Sequence, residues 1–206
     1  MVARFFSEEH AASWVLLRLQ SDDGTNRLTR ECVLALTDAV RRLANEDRAI
    51  VVAGCDRFFS AGAELEEISA LVGPTAYEFS KMGQALMETI ERFPAPVYAA
   101  VSGYCMGGGL DLALACHHRI ASPESVFGHR GAALGLITGW GGTQRLPRLV
   151  GRARALEIFV TAEKVTATQA LRLGLVEALA GDPVAEAVRR IGERRKRISA
   201  EIESPG

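Results

Sequence analysis

Two short apolar runs, AIVVA at 49–53 and VYAAV at 97–101, each lead through a glycine-containing turn into a helical pattern. Runs this short, without polar alternation, fit strands covered on both faces. Strand, glycine turn and helix thus occur twice, at 49–68 and again at 97–116. Helices packed on buried strands make an α/β protein the expected class.

The other segments agree with that class. WVLLRL at 14–19 reads as an early strand and SDDGTN at 21–26 as a turn. Over residues 29–45, Val33, Leu36, Val40 and Leu43 recur at helical spacing. Phe79, Met82, Leu86, Ile90 and Phe93 do the same over 75–93, and Pro94 and Pro96 end that helix. Residues 151–160, 167–173 and 183–202 are further helix candidates, and Gly174 separates the second of these from the strand-like LVEAL.

Composition narrows the function classes. The 206 residues suit one domain with a substantial core. With 24 basic and 25 acidic residues, no global field recruits nucleic acid or an anionic membrane. The arginine-rich segment 189–197 has acidic neighbours interleaved and reads as a solvated helix face. No apolar run reaches membrane-spanning length. The stretch MVARFFSEEHAASW carries charges where a signal peptide needs apolar residues, so a cytoplasmic location is expected. Cys32, Cys55, Cys105 and Cys116 form no C-x-x-C pair, which leaves no zinc or redox motif and no expected metal.

The chemistry points to the two glycine turns, SAGAEL at 60–65 and GYCMGGGLDL at 103–112. Backbone N–H groups at helix starts lack intrahelical acceptors, and glycine lets a ligand approach the main chain. Such groups suit an oxyanion formed on a carbonyl, where donors must already be aimed at the developing charge.

These segments resemble the enoyl-CoA hydratase/isomerase (crotonase) superfamily. FFSAGAEL is similar to its AFxAGADL signature, and SGYCMGGGLDLALACHHRIAS to NGxxxGGGxELAxxCDxRIA. GLITGWGGTQRLPRLVGRARALEI is similar to GxxPGxGGTQRLPRxxGxxxAxEx, and TATQALRLGLVEAL to SAxEAxxxGLVxxV. The matches run in order across about residues 14–180. The resemblance implies the crotonase (ClpP/crotonase-like) fold, a spiral of ββα units over 1–180 with a short helical tail over 181–206. It also implies acyl-CoA ligands, assembly as a homo-trimer or hexamer, and no metal or redox cofactor, coenzyme A entering only as part of the substrate. By the same resemblance, the N–H groups of Ala63 and Gly108 are the oxyanion donors. The backbone around Ala61, Ala63, Glu64 and Leu65 would hold the adenine and pantetheine end.

The sequence also departs from the family. Its hydratases share a water between two glutamates, which serve as proton acceptor and donor. Here the first position is Asp111, one methylene shorter, and the second falls on Gly131, which has no carboxylate. Hydration is therefore expected to be weak, and a double-bond isomerase, which needs only one base, is the leading expectation. His129 is a candidate acid/base near neutral pH. Arg130 is a candidate for holding a carboxylate or small anion. Trp140 either walls the acyl pocket or packs beneath its turn. His117 and His118 are expected to be structural or exposed. By the resemblance, relatives carry further C-terminal helices that cover the acyl pocket, so the expectation here is a different cover, one from a neighbouring subunit, or a more open site.

Two other readings stay open at this point. One is a non-catalytic acyl-CoA binder or scaffold. The other is a cysteine hydrolase, because GYCMG at 103–107 matches a nucleophile turn. Asp111 lies awkwardly for that second reading, on the helix that follows Cys105 itself.

Overall fold

The computed structural model describes residues 4–203, and side chains as far as residue 200. The expected tail's last residues, 204–206, lie outside the described residues, as do residues 1–3. The larger sheet holds β1 (Phe6–His10), β2 (Trp14–Leu19), β3 (Ala49–Ala53), β5 (Val97–Val101), β7 (His118–Ala121) and β10 (Ala178–Leu179), in the order β1-β2-β3-β5-β7-β10. β1 pairs antiparallel with β2, and every later pairing in this sheet is parallel. A second sheet holds β4 (Phe58–Ser60), β6 (Tyr104–Met106), β8 (Val126–Gly128) and β9 (Val165–Thr166), in that order.

Three of the parallel strands, β3, β5 and β7, are each followed by a short strand of the second sheet. β3 leads to β4 and then to α2 (Leu65–Ser69); β5 leads to β6 and then to α4 (Gly108–Ala115); β7 leads to β8. This is the expected spiral of ββα units. The strands β4, β6 and β8 were not legible in the sequence, since three residues carry no periodicity.

All five residues of both β3 and β5 are buried, because helices cover the sheet on each side. On one side, Ile50, Val52 and Ala99 pack with α1 (Arg30–Leu43) and α3 (Gly73–Glu91). α1 buries Val33, Leu36, Val40 and Leu43, and Thr29 caps it by accepting from the Cys32 N–H. On the other side, Val51, Tyr98 and Ala100 pack against Ala187 and Ile191 of α8 (Pro183–Glu203). The C-terminal helix is therefore one cover of the sheet. Its Arg189 and Arg190 pair with Glu186, and Arg189 also with Glu193, along its own exposed face. Among the described residues, no helix is long and apolar enough to cross a membrane.

Candidate active site

The first loop is set by the end of β4. Ser60 is fully buried; its Oγ donates to the Asn26 carbonyl at 2.7 Å and accepts from the Gly62 N–H at 3.1 Å. The Leu28 N–H donates to the Gly62 carbonyl at 2.9 Å, and the Ala61 N–H to the Thr25 carbonyl at 2.9 Å. Residues 25–28 thus pin the loop from outside and fix Ala63 at its inner edge. Glu64 caps α2, and Leu65 opens that helix with its side chain exposed. Ala61, Ala63, Glu64 and Leu65 therefore form one continuous edge.

The second loop is set by the end of β6. The Gly107 N–H donates to the Gly128 carbonyl at 2.9 Å, and Gly107 adopts φ +51°, a turn that a side chain would strain. Gly108 is the first residue of α4, so helix geometry gives its N–H no intrahelical acceptor. The two loops touch. A Cβ on Gly108 would lie 3.2 Å from the Ala63 nitrogen, and one on Gly62 would lie 3.1 Å from the Gly108 nitrogen. Only glycine lets the two main chains come this near.

Trp140 packs beneath the turn. Its side chain is buried, its Nε1 donates to the Phe79 carbonyl at 3.2 Å, and its ring tilts against that of Phe79 at 5.2 Å. The indole also borders Gly108, so it lines the underside of the second loop.

Asp111 and His129, distant in sequence, meet inside the protein. Asp111 is 1% exposed and His129 4%. His129 Nε2 lies 3.3 Å from Asp111 Oδ1, and neither atom has a hydrogen-bond partner among the described residues. The Thr138 hydroxyl donates to Asp111 Oδ2 in a short contact. The His129 ring rests on Phe159 at 5.1 Å. Gly142, first residue of α5 (Gly142–Val150), closes over the pair. Arg130 is exposed and precedes a 3₁₀ turn, Gly131–Leu134, so neither Arg130 nor Gly131 joins this buried cluster.

Sequence reasoning missed Thr138 and Gly142. A signal existed for the first: Thr138 stands where the PGxGGT motif has proline. Gly142 lies in the GGT of the same motif, but its place over the pair arises from residues far away in the chain.

The structure removes the cysteine-hydrolase reading. Cys105 is fully buried, its thiol donates to the Gly109 carbonyl at 3.5 Å, and burial pushes its pKa well above the ordinary thiol value. A nucleophilic cysteine needs the opposite environment. His117 is structural: its Nδ1 accepts from the Val97 N–H at 2.9 Å. His118 stacks on Tyr98 and pairs with Glu177.

This two-sheet spiral, with two glycine loops meeting at a helix start, is the crotonase fold. The family model for enoyl-CoA hydratase/isomerase matches residues 9–203, and the chain belongs to that family. A probable enoyl-CoA hydratase of Bacillus subtilis is 48% identical over 136 residues, covering 66% of this chain and 53% of the relative. A crotonyl-CoA hydratase of Syntrophomonas wolfei is 39% identical over 165 residues, covering 78% of this chain and 63% of the relative. The chain thus spans between half and two thirds of those two relatives. The solved structure of Pseudomonas aeruginosa DspI superposes with a TM-score of 0.89 at 32% identity, covering 95% of this chain and 82% of that one.

Proposed function

We propose that the protein binds an acyl-CoA thioester and moves a proton next to its carbonyl. The thioester oxygen accepts from the N–H groups of Ala63 and Gly108. The edge formed by Ala61, Glu64 and Leu65 holds the coenzyme A portion. Asp111 takes the α-proton, the C–H electron pair becomes the C=C of an enolate, and the negative charge rests on the oxygen between the two donors. Return of the proton to the γ-carbon moves the double bond. Isomerisation is favoured over hydration because Gly131 offers no second carboxylate to activate water. A cytoplasmic location and a trimeric or hexameric assembly belong to the same reading.

The observation that carries this proposal is the contact between the two loops, with Gly62 and Ala63 against Gly108. The names of the relatives support the substrate class. The test offers the protein a 3-enoyl-CoA and crotonyl-CoA in D₂O. Double-bond migration with deuterium incorporation, and slow hydration, is the expected result. Tight binding of both esters with neither migration nor exchange would instead establish a non-catalytic acyl-CoA binder.

A further inference from the structure

Asp111 presents a physical problem. It is a carboxylate 1% exposed, on a helix whose neighbours Leu110, Leu112 and Ala113 are buried apolar residues. Burying an ionised carboxylate without partners is costly. Thr138 satisfies only Oδ2. Oδ1 faces His129 Nε2, itself unpartnered, across 3.3 Å.

A carboxylate oxygen without a proton is only an acceptor, and an imidazole nitrogen without one is likewise only an acceptor. Two bare acceptors facing each other where water is excluded would repel. One proton between them removes that repulsion. The surroundings favour that arrangement. Gly142 presses on the pair so closely that a Cβ there would lie 2.2 Å from Oδ1 and 2.8 Å from Nε2. Gly142 also begins α5, whose first amides have no intrahelical acceptors and favour negative charge nearby. The Thr138 hydroxyl fixes the carboxylate's rotation, so Oδ1 is the oxygen presented to His129. On the remaining side, the His129 ring is held by Phe159.

We infer that Asp111 and His129 are a proton-sharing pair, with Thr138 and His129 as positioning residues that act through Asp111. The inference rests on the proposed function for its catalytic meaning. At rest the pair holds one proton, on Nε2, 3.3 Å from Oδ1. When Asp111 takes the substrate's α-proton the pair holds two, and Asp111 returns one to the γ-carbon while Nε2 keeps its own. The pair thereby offsets the carboxylate missing at Gly131: it holds Asp111 aimed without a second acid.

The experiment is ¹⁵N NMR of the His129 ring in the whole protein, without substrate. The expected spectrum shows Nε2 protonated at neutral pH, with its signal shifted in Asp111→Asn. Activity supplies the second arm. Thr138→Val should lower kcat on the order of 10²-fold with KM unchanged, the scale of a misplaced catalytic group, and Thr138→Ser should restore it. A bare Nε2 with the proton on Nδ1 would overturn the pair, and this wild-type measurement decides even if Asp111→Asn does not fold. Equal losses in Thr138→Val and Thr138→Ser would overturn the role of Thr138. Because the NMR readout needs no substrate, failure of the pair and failure of the proposed reaction are told apart.

Discussion

The indole of Trp140 lies against the main chain of Gly108 so closely that a Cβ on Gly108 would sit 2.6 Å from Cζ3. The same indole excludes a side chain at Gly83 of α3, where a Cβ would lie 2.2 Å from its ring. Trp140 is thus wedged between α3 and the start of α4, and it sets the height of the loop that carries the Gly108 N–H. Gly108→Ala should force that loop away from Ala63. We expect kcat to fall about 10²–10³-fold, the effect of losing one oxyanion donor. Overpacking should cost about 1–3 kcal/mol in urea unfolding. Adding Trp140→Phe should recover stability more than turnover. Full turnover in Gly108→Ala would remove Gly108 from the oxyanion site.

The donor at Ala63 can be tested without changing a side chain's chemistry. Proline has no N–H, so Ala63→Pro deletes the donor, while the Leu28 N–H bond to Gly62 uses a different group. The expected loss in kcat is again about 10²–10³-fold, with circular dichroism checking that the fold persists. Ala63→Ser, which keeps the N–H, should stay within about tenfold of the parent.

Thiol accessibility separates the cysteines. Cys55 is exposed, whereas Cys32, Cys105 and Cys116 are buried. Burial pushes the Cys32 and Cys116 thiols up to about 12. Iodoacetamide at neutral pH should therefore label Cys55 alone in the folded protein, as read by peptide mass mapping. Cys105→Ala should leave turnover within a few-fold of the parent. Rapid labelling of Cys105, or loss of turnover on its replacement, would contradict the burial described here.

Acid stability should depend on Glu177. Burial raises its pKa, but the hydrogen bond to His118 and the charges of His118, Arg119 and Arg190 outweigh that effect and hold it below the ordinary value of 4.5. A depressed carboxylate pKa stabilises the fold at pH values above its unfolded value, and the contribution is lost as pH falls through the folded value. Glu177→Gln should therefore destabilise at neutral pH, by about 1 kcal/mol for so accessible a group. The difference from the parent should shrink as pH drops below 4.5. A gap that stays constant with pH would show that charge is not the cause.

Arg119 gives the larger stability effect. Its Nε donates to the Leu175 carbonyl at 2.9 Å and its Nη1 to the Cys116 carbonyl at 2.6 Å. It joins β7 to the chain entering β10, and its side chain is buried. Arg119→Ala leaves those carbonyls without their donor and should cost about 3–5 kcal/mol in chemical denaturation. Arg119→Lys should rescue little, because an ammonium lacks the planar fork. A loss below about 1 kcal/mol would mean that water or a rearrangement replaces the guanidinium.

Several features of this protein were readable from residues alone. Hydrophobic runs at 49–53 and 97–101 marked strands covered on both faces, and helical spacing marked the buried face of α1. The motif around Gly108 marked a family and therefore a fold. These signals are local: each depends on the order of residues within a few turns of chain. The strands of the second sheet escaped because lengths of two or three residues are stabilised by neighbours brought from elsewhere.

The sequence by itself determined the candidates for chemistry: an aspartate at 111, a histidine at 129 and no carboxylate at 131. Only the tertiary structure decided that Asp111 and His129 face each other, that Thr138 holds the free side of the carboxylate, and that Cys105 is sealed from solvent. The physical reason is that a side chain's reactivity depends on its partners and on the exclusion of water. Both are set by packing between segments that are far apart along the chain.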